Sequence, residues 1–189
     1  MSDKMLEDKS AASLQTFISA QERHDVEAVI ACFAPDIVVR SPITQRVRFE
    51  GVEQASDLFR RIFDVISGIR FYETIGEGRS CVVFWRGRVG RHHIEEANLL
   101  RFDERGLVSE MTVFMRPVLG LLVLAVELAS SLAGRHSFLR GIVVRLMLAP
   151  MATLFRLGEP AVIALTASGV PVSDRGGASS SAADDRGSK

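Results

Sequence analysis

Lysine, cysteine, tyrosine and tryptophan are all scarce in this chain, and each scarcity excludes something. Lysine is confined to Lys4, Lys9 and Lys189, so the 23 basic residues are nearly all arginine, and they balance 23 acidic ones. A net charge of zero offers no electrostatic footprint for a nucleic acid, and no such partner is expected. The arginine skew is read as coding bias. Two cysteines, Cys32 and Cys81, give neither a disulfide framework nor a metal-ligand spacing. Each lies in an apolar run and reads as a small core residue, so neither metal nor cofactor is expected. Residues 1–9 hold no hydrophobic targeting segment, which makes the cytoplasm the expected compartment. No stretch reaches the roughly 20 clean apolar residues of a membrane-spanning helix.

What is present is 47% hydrophobic residues in a chain of 189, enough for one domain and additional material. Residues 1–9 read as a flexible leader. Leu14, Phe17 and Ile18 have the spacing of an amphipathic helix over 10–20. Asp25 can cap a short second helix bearing Val26, Val29, Ile30 and Phe33, which Ala34-Pro35-Asp36 would end. Ile37-Val38-Val39 starts a strand that stops at Ser41-Pro42. A third helix is expected over 52–67, with Ala55, Leu58, Phe59, Ile62 and Phe63 inward. Four strands come next, at about 69–75, 81–89, 94–102 and 107–116. The last two flank Asp103-Glu104-Arg105-Gly106, a turn ending in a permissive residue. Helices first and hairpin-linked strands afterwards make an α+β fold, whose sheet must curl around the helices and enclose a pocket.

After Pro117 the composition changes. Residues 118–166 read as an apolar helical extension, interrupted at Pro150 and carrying Arg140, Arg145 and Arg156. A hairpin packed on the domain or on a partner chain is one reading. Peripheral membrane contact through 118–157, with the arginines at lipid headgroups, is another. Residues 167–189 are rich in Ser, Gly, Ala and Asp and read as a disordered tail.

Alternation along the third of the four strands puts Glu96 and Asn98 on one face, and Glu95, Ala97 and Leu99 on the other. On the preceding strand Trp85 and Gly87 oppose Arg86 and Arg88. Either Trp85 is core and both arginines are solvated, or Arg86 turns inward toward Glu96. His92 and His93 lie at a turn and point to opposite faces, so they cannot share a metal. Glu96 and His93 are the candidate acid–base groups. Asn98, Glu96, Phe59, Phe63, Trp85, Tyr72 and Phe114 are candidate pocket residues.

The run Cys32-Phe33-Ala34-Pro35-Asp36-Ile37-Val38-Val39-Arg40-Ser41-Pro42, followed by Phe49-Glu50-Gly51 and a helix, resembles the first half of the nuclear transport factor 2-like superfamily, SnoaL-like branch. Residues 102–110 and Phe114-Met115-Arg116-Pro117 resemble that branch's closing hairpin. The resemblance covers residues 10–117 and implies a cone: a curved, mostly antiparallel sheet wrapped round the helices. The superfamily includes ketosteroid isomerase, limonene-epoxide hydrolase and polyketide cyclases as well as binding modules, so the fold does not decide the function.

In the isomerase pattern a carboxylate base precedes the proline ending the first strand, and here Ser41 precedes Pro42. The tyrosine donor falls at Phe17 and the second donor at Asn98, so the resemblance implies Phe17 and Ser41 as candidate pocket residues as well. A serine without a proton acceptor is no comparable base. In the epoxide-hydrolase pattern Arg86-Gly87-Arg88 keeps the arginine but replaces the first carboxylate, and the second falls near Val113. Both reactions are therefore unexpected. The resemblance implies instead a binder of a small apolar molecule of steroid, terpenoid or polyketide type, homodimeric through the outer sheet face. An isomerase, cyclase or hydrolase with a rearranged acid–base site, and a protein acting at a membrane surface or partner through 118–166, are the alternatives.

Overall fold

The computed structural model describes residues 2–136 and the single positions 150, 153 and 158. The chain opens with α1 (Ser2–Glu22) and α2 (Val26–Ala31), then β1 (Phe33–Arg40), β2 (Arg48–Glu50) and α3 (Gly51–Val65). The strands β3 (Ile66–Glu77), β4 (Ser80–Val89), β5 (His92–Phe102) and β6 (Val108–Arg116) come after these, and α4 (Val118–His136) is last. One six-stranded sheet has the order β2-β1-β6-β5-β4-β3. All neighbours are antiparallel except β1 and β6, which run parallel. The α+β architecture and its curved sheet are those the sequence implies.

Local chemistry explains most of the element boundaries. The Asp25 carboxylate accepts from the Ala28 N–H at 3.1 Å and caps α2. In the β5–β6 turn the Asp103 carboxylate accepts from the N–H groups of Arg105 and Leu107, both at 2.9 Å, and Gly106 takes φ +81°. Ala34-Pro35-Asp36 does not end α2 but lies inside β1, where the register with β6 shifts between Phe33 and Val38. Such an irregularity tolerates a residue without an N–H.

The leader expected at residues 1–9 is not loose. Helix α1 runs from Ser2, Leu6 is buried, and the Ser10 hydroxyl donates to the Leu6 carbonyl at 2.8 Å. The β5–β6 turn fixes this extension, since a Cβ on Gly106 would lie 2.7 Å from Lys9 Cβ.

The main core gathers Phe17, Val29, Phe33, Ile37, Val39, Leu58, Phe59, Val83, Leu100 and Met111 between the helices and the concave sheet face. A second cluster, Ile66, Ile69, Trp85, Val89 and Ile94, is closed by Leu124 from α4. Thus the first turns of the extension pack on the domain. The second apolar segment with its arginines, and the tail at 167–189, lie outside the described residues. Among the described residues no helix is long and apolar enough to cross a membrane.

Candidate functional site

Strands β4 and β5 alternate cleanly, and this alternation builds the site. On β4 Cys81, Val83, Trp85, Gly87 and Val89 are buried, whereas Arg86 and Arg88 are exposed. On β5 Ile94, Glu96, Asn98, Leu100 and Phe102 are buried. Trp85 stands directly across from Glu96, and Val83 from Asn98. Gly87 makes room for the indole, because a Cβ there would come within 3.0 Å of Trp85 Cζ3.

Beside this face lies a cavity of about 290 Å³. Its walls come from β1 and the following loop (Val39, Ser41, Ile43), from α3 (Leu58, Phe59, Ile62), from β6 (Met111, Val113, Met115) and from α4. The lining side chains are apolar apart from Gln21, Arg40, Ser41 and Glu96, and Trp85 is among them. A cavity of this size and lining is of the kind that holds small organic ligands.

Glu96 is the ionisable group buried in that wall. Desolvation drives its carboxyl from the ordinary 4.5 up to about 8. The neighbouring Asn98 amide and Trp85 indole favour its charged form and offset only part of that rise. Neither makes a hydrogen bond of good geometry: Trp85 Nε1 and both amide atoms of Asn98 are buried without a partner. Gln21 Nε2 is in the same state. At neutral pH Glu96 is therefore largely a neutral acid, able to donate a proton or a hydrogen bond.

The other candidates fall in different places. Phe59, Trp85 and Ser41 line the cavity, and the Ser41 hydroxyl accepts from the Ile43 N–H at 3.2 Å. Asn98 and Phe17 are fully buried in the inner layer but do not line the cavity. Phe63 packs edge-on against His24 and Phe59, also away from it. Tyr72 and Phe114 lie on the outer face, 46% and 57% exposed. Alternation with the inward Ile69 and Phe71 puts Tyr72 there, on the edge strand β3, and the register shift between Phe71 and Glu73 changes parity only beyond it. His93 is exposed on the outer side, which removes it as a base for the cavity. Arg86 also faces out, its guanidinium 4.5 Å over the Tyr72 ring, so it does not meet Glu96.

Sequence reasoning misses Gln21. It is 2% exposed and sits four residues after Phe17, on the same helical face. That spacing is the signal that could have found it, but the sequence pattern ends the helix at residue 20, and α1 runs on to Glu22.

A curved sheet wrapped round helices, with a lateral cavity between them, defines the cone-fold class of binding proteins and enzymes. The family profile described as a SnoaL-like domain matches residues 14–116, and the chain belongs to that family. Among solved structures it is similar to a steroid Δ-isomerase from Pseudomonas aeruginosa, 27% identical, with TM-score 0.63 over 69% of this chain and 96% of that one. A cystatin-like-fold protein from Silicibacter pomeroyi is 19% identical, with TM-score 0.60 over 63% and 84%. A nuclear transport factor 2-like protein of unknown function from Mesorhizobium loti is 18% identical, with TM-score 0.53 over 59% and 93%. A comparison with curated proteins gives no match.

Proposed function

We propose that the protein binds a small apolar molecule of steroid, terpenoid or polyketide type through an acceptor oxygen held at Glu96. The observation carrying this reading is a neutral carboxyl in the wall of an apolar cavity whose lining residues Gln21 and Trp85 each hold a buried, unpartnered side-chain donor, Nε2 and Nε1. A buried donor without a partner costs about 1–3 kcal/mol, a loss recovered when the Gln21 or Trp85 side chain turns to meet a ligand's ketone or hydroxyl oxygen. Native mass spectrometry of the full chain against steroid, terpenoid and polyketide ketones tests the reading. Wild type should retain at least one of these ketones and Glu96→Leu should not; retention of none by wild type would sink it.

A specific observation favours catalysis as a second reading. The Pseudomonas aeruginosa relative is a steroid Δ-isomerase, and a carboxyl near pH 8 is well placed for proton transfer. Against this, Ser41 lies in the cavity wall where that chemistry wants a base, and Phe17 has no hydroxyl. Mixing the protein with a β,γ-unsaturated ketosteroid and following conjugation by ultraviolet absorbance decides between the two. Binding alone leaves the rate at background.

The outer face carries a groove of about 400 Å³ between Tyr72, Phe84, Glu95, Phe114 and Arg116. Its exposed aromatic rings support a homodimer through this face. Phe114→Glu is expected to give a monomer in light scattering if wild type is a dimer.

A further inference from the structure

We propose that α4, which begins after the last residue of the SnoaL-like domain, is the wall that limits ligand size, with Leu124 and Ala125 as specificity-determining residues. The inference rests on the binding reading above. Leu121, Leu124, Ala125 and Leu128 have the i, i+3, i+4, i+7 spacing of one helical face, and all four line the cavity. Leu124 and Ala125 are 5% and 7% exposed.

The other walls are held differently. β1 and β6 are fixed by ladder hydrogen bonds, and α3 is anchored in the main core by Ala55, Leu58 and Phe59. Helix α4 is seated through side-chain packing, at one close approach. A Cβ on Gly120 would lie 2.5 Å from Ile94 Cγ2 and 3.4 Å from the His93 carbonyl oxygen. Glycine lets the helix settle onto β5, and the next turns then cover Trp85 and the end of the cavity. Ala125 is the smallest side chain that α4 contributes to the lining. Lengthening it fills cavity space at the expense of a long ligand, whereas shortening Leu124 extends that space.

The experiment measures the affinities of progesterone, a four-ring enone, and carvone, a ten-carbon enone, through the intrinsic fluorescence of the single tryptophan. Ala125→Leu in the full chain should weaken progesterone by at least about tenfold, leave carvone within about twofold, and not lower Tm. Leu124→Ala should shift the preference the opposite way. Equal effects on both ligands, or none on progesterone, would overturn the proposal. If wild type binds neither ligand, acrylamide quenching of Trp85 still judges the wall, while the ketone panel above judges the binding reading separately. Leu124→Ala should then raise the quenching constant severalfold, and an unchanged constant contradicts the role given to α4.

Discussion

Two neighbouring inward positions on β5 carry opposite consequences. Glu96 borders the cavity, so the cost of burying its carboxyl can be met by a ligand. Asn98 is completely buried, with neither amide atom partnered. Replacing a buried, unsatisfied polar group by an apolar one of similar shape is neutral or stabilising. Asn98→Leu is therefore expected to raise unfolding stability by up to ~1 kcal/mol in urea titrations, and to push the Glu96 carboxyl higher by removing a group that favours its charge. A loss of several kcal/mol would mean that the amide has structural partners of real strength. The inward pairing of Glu96 and Asn98 was legible from alternation alone. Ile75 was not, because one inserted residue in β3 reverses the parity of the positions beyond Tyr72 and turns it to the exposed face. His93 lies on the outer side because neighbouring residues of a strand face opposite ways, a rule the sequence alone can apply.

At the scale of elements, α2, α3 and the four long strands were legible because each combines a clear period with a capping or turn residue. The three-residue β2 has too few positions for a period, and it exists because β1 offers it a partner from Val38 to Arg40. The first turns of α1 carry little amphipathic signal, and the tertiary contact at Gly106 fixes them. The seating of α4 depends likewise on one glycine whose importance no local pattern reveals. Gly120→Ala is expected to destabilise by about 1–3 kcal/mol, the cost of forcing an atom into a packed contact, and to increase Trp85 solvent exposure. Urea unfolding together with the tryptophan emission maximum reads both effects.

For the whole molecule, the order of helices and hairpins carried the family, and residues 14–116 confirm it. The cavity was only partly legible, since its walls draw on six separate stretches of chain from Gln21 to Met115 and on an extension outside the family domain. Its electrostatics reach global stability. The folded state keeps the Glu96 proton up to about pH 8, while the unfolded chain releases it from about 4.5. The contribution to stability is thus fully present below pH 4.5, declines as pH rises toward 8, and is lost beyond it. Thermal melts of wild type and Glu96→Gln across this window should diverge, the glutamine variant losing less Tm as pH rises. Parallel curves would mean that Glu96 ionises in the folded protein as it does in water.

If neutral Glu96 donates a hydrogen bond to a ligand's oxygen, affinity must follow the titration of that carboxyl. Isothermal titration of the full chain with progesterone should give a constant Kd from about pH 6 to the Glu96 pKa near 8, then weaken by about tenfold per unit above it. Glu96→Gln, which keeps a donor but cannot titrate, should remove that dependence. Affinity that stays flat through pH 9 in wild type, or that strengthens as Glu96 ionises, would contradict donation by the neutral carboxyl.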